Sequence, residues 1–477
     1  MVSEQEILAS DRCSVVAPAG CGKTELIVRA VQAYEGKGRF LVLTHTHAGV
    51  RALRSRFSKR GVSRDKFAIE TIAGWCLSYA RAYPVTAALT NPMPTGGEWD
   101  GITDGVINLL ALPAIQKVLR ESYVGVFVDE YQDCTSTQHR LICALADILP
   151  CRILGDPLQG IFAFAGGSLS WTVVEAAFPS LGVLDHPWRW DGKNLELGQW
   201  LLAIREPLMA GEPIDLSTAP VQWSAQAPDS QRALALGLLR HEQPVVAIRK
   251  MPGQAHEFAR GMGRAYQSME EIECKDLLAF TGAMDTLQGV PRALRVIDFA
   301  KNTISGLSAH IATLEGALRT GKTIRTTLMR EPARRAFAEA LIRITESQDV
   351  EPVKEALSAV VKLPRTRIFR EELWHEARKT LDSFDPAAGK TLYDTAWSMR
   401  NKSRFIDRDL ARHVVSRTLL IKGLEFDHSF IPALDEFRVR DRHSDSAKHF
   451  YVAATRGSRS LTILSNQPIL QFPRPTL

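Results

Sequence analysis

Seven cysteines in 477 residues, at positions 13, 21, 76, 134, 143, 151 and 274, form no C-x-x-C pair and no Cys/His cluster of zinc spacing. That excludes a disulfide-stapled secreted scaffold, and fits a reduced protein of the cytoplasm without a structural metal. No apolar run approaches the ~18 residues of a membrane span, and the first residues, MVSEQEIL, lack a basic-then-apolar signal pattern. We therefore expect no membrane association. An excess of charge is also missing: the net +6 is small for this length, so it permits a polyanionic partner without demanding one. There is no internal repeat and no low-complexity tail. What remains, 45% hydrophobic and 23% charged residues, describes a globular chain of about two to four domains.

What is present begins with VVAPAGCGKTELIVRAV, Val15 to Val31. An apolar run, a glycine turn, Lys-Thr and an amphipathic stretch with Leu26, Ile27, Ala30 and Val31 on one stripe build a phosphate cradle at a helix N-terminus. The signature G-x-x-x-x-G-K-[ST] is met from Gly22 onward, with Ala17 in its first position. Gly20 and Gly22 let backbone N–H groups converge on a β-phosphate, with Cys21 as a small residue between them. Lys23 would reach the β- and γ-phosphates, and the Thr24 hydroxyl would ligate Mg²⁺. ATP and Mg²⁺ are the expected cofactors. The plainer alternatives are a glycine-rich turn with a surface lysine and, for Cys21, a redox-sensing thiol.

The first ~180 residues alternate apolar strands with helical stretches, which argues an α/β architecture with a parallel sheet covered on both faces. The strand candidates are CSVVAPA, RFLVLTHT, FAIETI, VGVFVDE and CRILGDP. Pro84 to Asp104, rich in Pro, Gly, Thr and Asn, reads as a loop-rich insertion. A second α/β pattern starts near Leu181 and includes QPVVAIRK. It becomes mostly helical from about Ala255 to Leu410, and strand patterns return at HVVSRTLLIKG and SLTILSN. The second sheet is thus expected to be split by a helical insertion.

Val124 to Cys134, VGVFVDEYQDC, delivers Asp129 and Glu130 at the carboxyl end of a strand, where ligands bind in open α/β sheets. Two adjacent carboxylates suit a division of labour, Asp129 serving Mg²⁺ and Glu130 polarising the attacking water. A bare Asp-Glu pair is usually a solvated strand end. One that follows a P-loop by about a hundred residues and is completed as DEYQD is more specific.

Here the chain resembles the UvrD/Rep/PcrA-like DNA helicases of superfamily one. APAGCGKT looks like their Walker A segment and VFVDEYQD like their motif II. ILGDPLQGIFAF resembles the segment whose glutamine senses the γ-phosphate, a role that would fall to Gln159. LDHPWRW is similar to the "NYRS" motif and places an arginine at Arg189. LLIKGLEFDHSFIP looks like motif V, with Gly423 and Glu425 in its KGLE core, and FYVAATRGSRSLTIL looks like motif VI, with Arg456. Gln5 takes the part of the adenine-reading glutamine, at a short spacing from the P-loop. The resemblance implies two RecA-like P-loop domains. Residues 1–180 would form the ATP-binding domain, with a short insertion at about 84–120. Residues 181–254 and 411–477 would form the two parts of the second domain, and 255–410 its helical insertion. Lys23 from the first sheet, with Arg189 and Arg456 from the second, would complete the site when the domains close on the nucleotide. Either arginine could instead be an ordinary interdomain ion pair.

The implied track is single-stranded DNA, on its own or as the tail or end of a duplex. Thr44 and His45, in THTH, end the second strand as a Thr-Phe-Thr-Asn segment does in the family. Phe162 and Phe164 follow Gln159 at the spacing of the family's stacking aromatics. The alternatives are that these phenylalanines are core and that Trp188 and Trp190 are packing residues. Departures are Ala165, where the relatives carry an arginine, only Thr418 upstream of KGLE, and ETIAGWC without the usual histidine. The chain ends soon after motif VI, so no appended nuclease is expected. The leading expectation is an ATP-dependent DNA helicase or translocase moving 3′ to 5′. The alternative is a regulatory ATPase subunit of a nuclease complex in antiphage defence, because the compact build is similar to the helicase component of Gabija, GajB. An RNA-directed ATPase is a third reading. A partner nuclease or self-association, through the helical insertion, would supply contacts for duplex unwinding.

Overall fold

Runs that are apolar at every position suit strands buried on both faces, because each face needs its own apolar set. The computed structural model describes residues 2–91, 94, 97–161, 169–263, 265–269, 274–386, 389–403, 411–438 and 445–476. In it the strand candidates become β1 (Arg12–Val16), β2 (Phe40–Thr44), β3 (Phe67–Thr71), β4 (Gly125–Val128) and β5 (Cys151–Gly155), of which β2, β4 and β5 are buried throughout, joined by β6 (Ser180–Val183). They pair in parallel in the order β3-β2-β4-β5-β1-β6. β6 lies at the edge, partly exposed along its length, and carries no apolar run by which the pattern could announce it. Alternation sorts the side chains between two cores. Phe40 and Val42 enter one with Val15, Ile27, Phe57 and Phe127, whereas Leu41 and Leu43 enter the other with Trp75, Val126, Val128 and Leu141.

The topology decides where a ligand can sit. The connection from β1 travels towards β2 and β3, while that from β5 crosses β1 to reach β6. In a parallel sheet, a crevice opens at the carboxyl ends of the strands where the direction of winding reverses. β1 ends there in the glycine loop, and β4 ends in Asp129.

A second six-stranded parallel sheet comprises Gln222–Ala225, Val245–Arg249, Gln267–Ser268, His413–Arg417, Phe426–Ile431 and Gly457–Ser465. The α/β architecture with two parallel sheets is therefore as expected of two RecA-like layers. Details differ. Only the first half of HVVSRTLLIKG is strand, since Thr418–Ile421 winds into a helical turn. Gln267–Ser268 is a sheet strand inside the stretch read as helical. Pro84–Asp104 is loop only in part, because the helix Glu98–Leu110 starts inside it and Pro113–Ser122 follows. Among the described residues no single helix is long and apolar enough to cross a membrane.

The chain forms two compact units, residues 1–226 with 422–477, and residues 227–421. Much of the second is a helical bundle. Helices Lys275–Thr286, Gly289–Thr303, Pro332–Glu346, Glu351–Val360 and Glu371–Ser383 share a core around Phe280, Val296, Phe337, Leu341, Leu357 and Trp374. Phe299 stacks on Phe280 at 4.1 Å and on Trp374 at 6.0 Å between ring centroids. The buried Arg292 donates to the carbonyls of Ser347, at 2.7 Å, and Gln348, at 2.9 Å, just past the carboxyl end of Pro332–Glu346. Helix ends leave such carbonyls without an intrahelical donor. Truncating Trp374 to alanine is expected to destabilise this unit by about 3–5 kcal/mol. Urea unfolding followed by circular dichroism reads this as a lower midpoint for the helical signal, and an unchanged midpoint would show that the aromatic stack does not hold the bundle.

Candidate active site

β1 runs out at Val16, and the chain turns through Ala17 to Gly22 before the helix Lys23–Ala33 begins. The Ala17 N–H donates to the Gly155 carbonyl at 2.8 Å, which ties the loop to the end of β5. Gly20 and Gly22 sit at φ +73° and +87°, where a Cβ is strained. A Cβ on Gly20 would also stand 2.5 Å from Trp190 Cζ3. No side chain caps the helix at Gly22, so its first-turn N–H groups are available to an anion.

Lys23 and the two strand-end carboxylates meet at this turn. Lys23 Nζ lies 2.6 Å from Glu130 Oε1 and 3.4 Å from Asp129 Oδ1, and Thr24 Oγ1 donates to Asp129 Oδ2 at 3.3 Å. Glu130 adopts φ +59°, a left-handed conformation that costs a non-glycine residue on the order of 1–3 kcal/mol and clusters at functional sites. Its second oxygen accepts from Gln132 Nε2 at 2.5 Å, and Gln132 Oε1 accepts the Asp156 N–H at 2.9 Å. Burial works against charge on Lys23, but Glu130 and Asp129 outweigh it and hold the ammonium well above its ordinary range. Burial likewise works to raise Glu130, and Lys23 and Lys422 overcome it, keeping this carboxylate ionised. For Asp129 burial wins and its affinity for a proton rises.

Four further basic side chains enter the same unit's cluster. The Arg189 backbone N–H donates to the Gly20 carbonyl at 3.1 Å, and its guanidinium donates to the Thr455 carbonyl at 2.7 Å and Glu425 Oε1 at 2.8 Å. Arg456 is buried, donating to the Val452 carbonyl at 2.8 Å, the Leu424 carbonyl at 3.1 Å and Thr455 Oγ1 at 2.9 Å, and it stands 3.5 Å from Gln159 Oε1. None of these partners is a carboxylate. Burial and the neighbouring Arg189 weigh against its charge. Lys422 Nζ donates to both oxygens of Asp133, at 2.5 and 2.6 Å, and to the Gln159 carbonyl at 2.6 Å. Gln159 Nε2 donates to Asp156 Oδ2 at 2.8 Å, and Asp156 is paired with Arg205.

Lys23, Thr24, Asp129, Glu130, Gln159, Arg189, Glu425 and Arg456 are thus brought together around the loop formed by Ala17, Gly20, Cys21 and Gly22. Gly423, beside them, takes φ +82°. Cys21 is buried, and burial pushes its thiol up to about 12, which removes the thiolate a redox sensor needs. The two tryptophans part company. Trp190 is buried and donates Nε1–H to the Gly457 carbonyl at 2.8 Å, a packing role. Trp188 is 53% exposed, with a ring edge 3.1 Å from where a Cβ on Gly22 would be. Gln5 is exposed on the helix Glu4–Ala9, and no described bond joins it to the cluster. Thr44 is buried at the end of β2, and His45 is half-buried. Phe162, Phe164 and Ala165 lie outside the described residues. Asp133, Asp156 and Lys422 sit inside the segments DEYQD, LGDP and KGLE, whose patterns do not distinguish them as site residues. Arg205 has no motif around it.

A family model described as "AAA domain" matches residues 3–165. No curated protein matches the chain. Among solved structures, the complex of the Arterivirus nonstructural protein 10 (helicase) with DNA aligns over 51% of this chain and 48% of that chain, at 14% identity and a TM-score of 0.26. The matched region spans about half the length of that protein.

His45 makes the electrostatics testable. Its Nε2 lies 3.5 Å from the Cys134 sulfur. Burial, reinforced by Lys422 and Lys23 and opposed by Glu130, pushes the imidazole down from 6.5 to about 4. The unfolded chain therefore binds the extra proton first, and stability falls as pH drops from about 6.5 through about 4. His45→Gln is expected to flatten that part of the stability–pH curve while leaving stability at neutral pH nearly unchanged. Urea midpoints across this pH range check it, and parallel curves for the two proteins would rule out a His45 held neutral in the folded protein.

Proposed function

We propose that this chain is an ATP-hydrolysing motor that moves along single-stranded DNA. The observation that carries the reading is Arg456: a buried guanidinium with no carboxylate among its described hydrogen-bond partners, facing Gln159 beside the P-loop. A buried cation is costly unless an anion meets it, and a triphosphate whose charge grows in the transition state is such an anion. The donor set fits. The uncapped N–H groups at Gly22 and the Lys23 ammonium suit phosphates, and the Thr24 hydroxyl and Asp129 carboxylate, already in contact, would hold Mg²⁺. That ion would neutralise charge between the phosphates.

The residues divide the remaining work. Lys23, now paired with Glu130 and Asp129, would turn to the phosphates, which leaves Glu130 a freer and more basic carboxylate to orient the attacking water. Gln159 would report the γ-phosphate, and Arg189 and Arg456 would meet the charge it develops. The exposed face of Trp188 beside Gly22 offers a platform for the base of the nucleotide. Single-stranded DNA as the track and 3′ to 5′ as the direction rest on the resemblance to superfamily-one helicases, with His45 and the Phe162–Phe164 segment as the candidate contacts.

The reading is tested by ATP turnover with and without single-stranded DNA, on strands tailed at the 3′ or the 5′ end. We expect stimulation by DNA, and a protein that hydrolyses no ATP under either condition would remove the proposal. Lys23→Ala should abolish turnover, and circular dichroism checks that the variant, which leaves Asp129 and Glu130 without their shared cation, is still folded. Arg456→Ala should lower the turnover number by about 10³–10⁵ while nucleotide affinity changes little. An equal loss of affinity at unchanged turnover would assign Arg456 to binding alone.

A further inference from the structure

Arg205 opens the short helix Arg205–Ala210, outside every motif quoted above, yet its guanidinium is buried in the middle of the cluster. One nitrogen donates to Asp156 Oδ1 at 2.8 Å. The other donates to Asp156 Oδ2 and to the Tyr451 hydroxyl oxygen, both at 2.9 Å. The guanidinium carbon also lies 5.1 Å from the centre of the Tyr451 ring. Asp156 and Tyr451 belong to the two segments that carry Gln159 and Arg456.

On the first side, Asp156 organises the turn Pro157–Gln159. Its Oδ1 accepts the Leu158 N–H at 3.1 Å and its Oδ2 accepts from Gln159 Nε2 at 2.8 Å. An amide has one donor end and one acceptor end. With its NH₂ held by a carboxylate, Gln159 must present its oxygen outward, and that oxygen is the one facing Arg456. On the second side, Tyr451 lies on the helix Ser446–Ala454, and its carbonyl accepts from the Thr455 N–H at 3.0 Å and from Thr455 Oγ1 at 2.8 Å. Arg456 follows directly.

We infer that Arg205 is a positioning residue for catalysis, a single buried cation that fixes the orientation of the Gln159 amide through Asp156 and the placement of Arg456 through Tyr451. The inference rests on the nucleotide reading of the site above. The geometry explains why an arginine stands here. Only a planar fork with several donors can satisfy both oxygens of Asp156 and a third acceptor at once. A lysine supplies the charge and leaves part of that set unmade. Without any cation, the buried carboxylate of Asp156 would draw on another, and Arg456 is close at hand across Gln159. Burial opposes the charge on Arg205, but Asp156 and Tyr451 overcome it, so the group stays cationic throughout.

The test uses the full chain and three substitutions, Arg205→Gln, Arg205→Lys and Gln159→Ala, with ATP turnover, KM for ATP and thermal melting measured for each and for the Arg205→Gln/Gln159→Ala double variant. We expect Arg205→Gln to lower kcat by about 10²-fold, the order of loss that misplacing a reacting group causes, with KM changed by only a few-fold. Arg205→Lys should recover part of that loss. In the Gln159→Ala background, Arg205→Gln should cost much less in kcat than it does alone, because residues acting through one another are not additive. Its effect on the melting temperature should persist there, since packing losses at Arg205 do not need the amide. If Arg205→Gln does not fold, a lower kcat for Arg205→Lys at unchanged melting temperature supports the same role. Wild-type kcat in a folded Arg205→Gln or Arg205→Lys protein, full additivity with Gln159→Ala, or a rise in KM alone would overturn it. Absence of hydrolysis by the unaltered protein would instead overturn the nucleotide reading, and the positioning role with it.

Discussion

Burying Lys23 between Asp129 and Glu130 is the constraint that the rest of the site answers to. An ammonium and a carboxylate out of water cost several kcal/mol each before their attraction is counted, with Glu130 partly exposed beside them, and they come from segments about a hundred residues apart. Their meeting is possible because β1 and β4 run parallel in one sheet and end on the same side. Around them, Gln132 donates to the second oxygen of Glu130, and three further carboxylates are paired with cations: Asp133 with Lys422, Asp156 with Arg205, and Glu425 with Arg189. In each of these three ion pairs the cation comes from a different segment of the site from its carboxylate. Arg456 differs: its described hydrogen bonds all go to neutral oxygens, and Glu425 and Glu130 act on it only from farther away.

Packing holds this arrangement as firmly as charge does. Trp190 closes over Gly20 so tightly that a single added carbon would overlap its ring, and the same ring is pinned by its bond to the Gly457 carbonyl. Trp188, Arg189 and Trp190 thus lie against the glycine loop, supplying an exposed ring, a guanidinium and a buried ring in order. A phosphate cradle with such a cover is built for rigidity at the loop. The adjustable parts are the long side chains of Lys23, Glu130 and Arg189. Their present partners, carboxylate for cation, are ones that a charged ligand would exchange.

Much of this was legible in the residues themselves. A cradle needs glycine at positive φ and a lysine at a helix N-terminus, so Gly20, Gly22, Lys23 and Thr24 declare themselves by spacing alone. Fully buried strands read as apolar runs, so β2, β4 and β5 were visible, and β1 and β3 showed through shorter apolar stretches, while β6, partly exposed and without such a run, was not. Periodicity failed where a strand pattern runs into a turn: Thr418–Ile421 is apolar enough for either state, and only its surroundings decide. It failed again at Pro84–Asp104, where loop composition hides the first turn of a helix.

The linear order of residues determined which chemical groups this protein owns and on which strand ends they stand. Asp129, Glu130, Gln159 and Arg456 are placed by local patterns that hold in any fold of this kind. Tertiary structure alone decided the partners. Arg205 carries no local signature, because a guanidinium that acts by joining Asp156 to Tyr451 needs nothing from its own neighbours in sequence. The contrast between Trp188 and Trp190 is of the same origin, two identical side chains two residues apart, one exposed at the mouth of the loop and one sealed against a glycine. Sequence spacing fixes the chemistry a segment can offer, and the direction in which it is spent depends on contacts between residues hundreds of positions apart, which no local periodicity encodes.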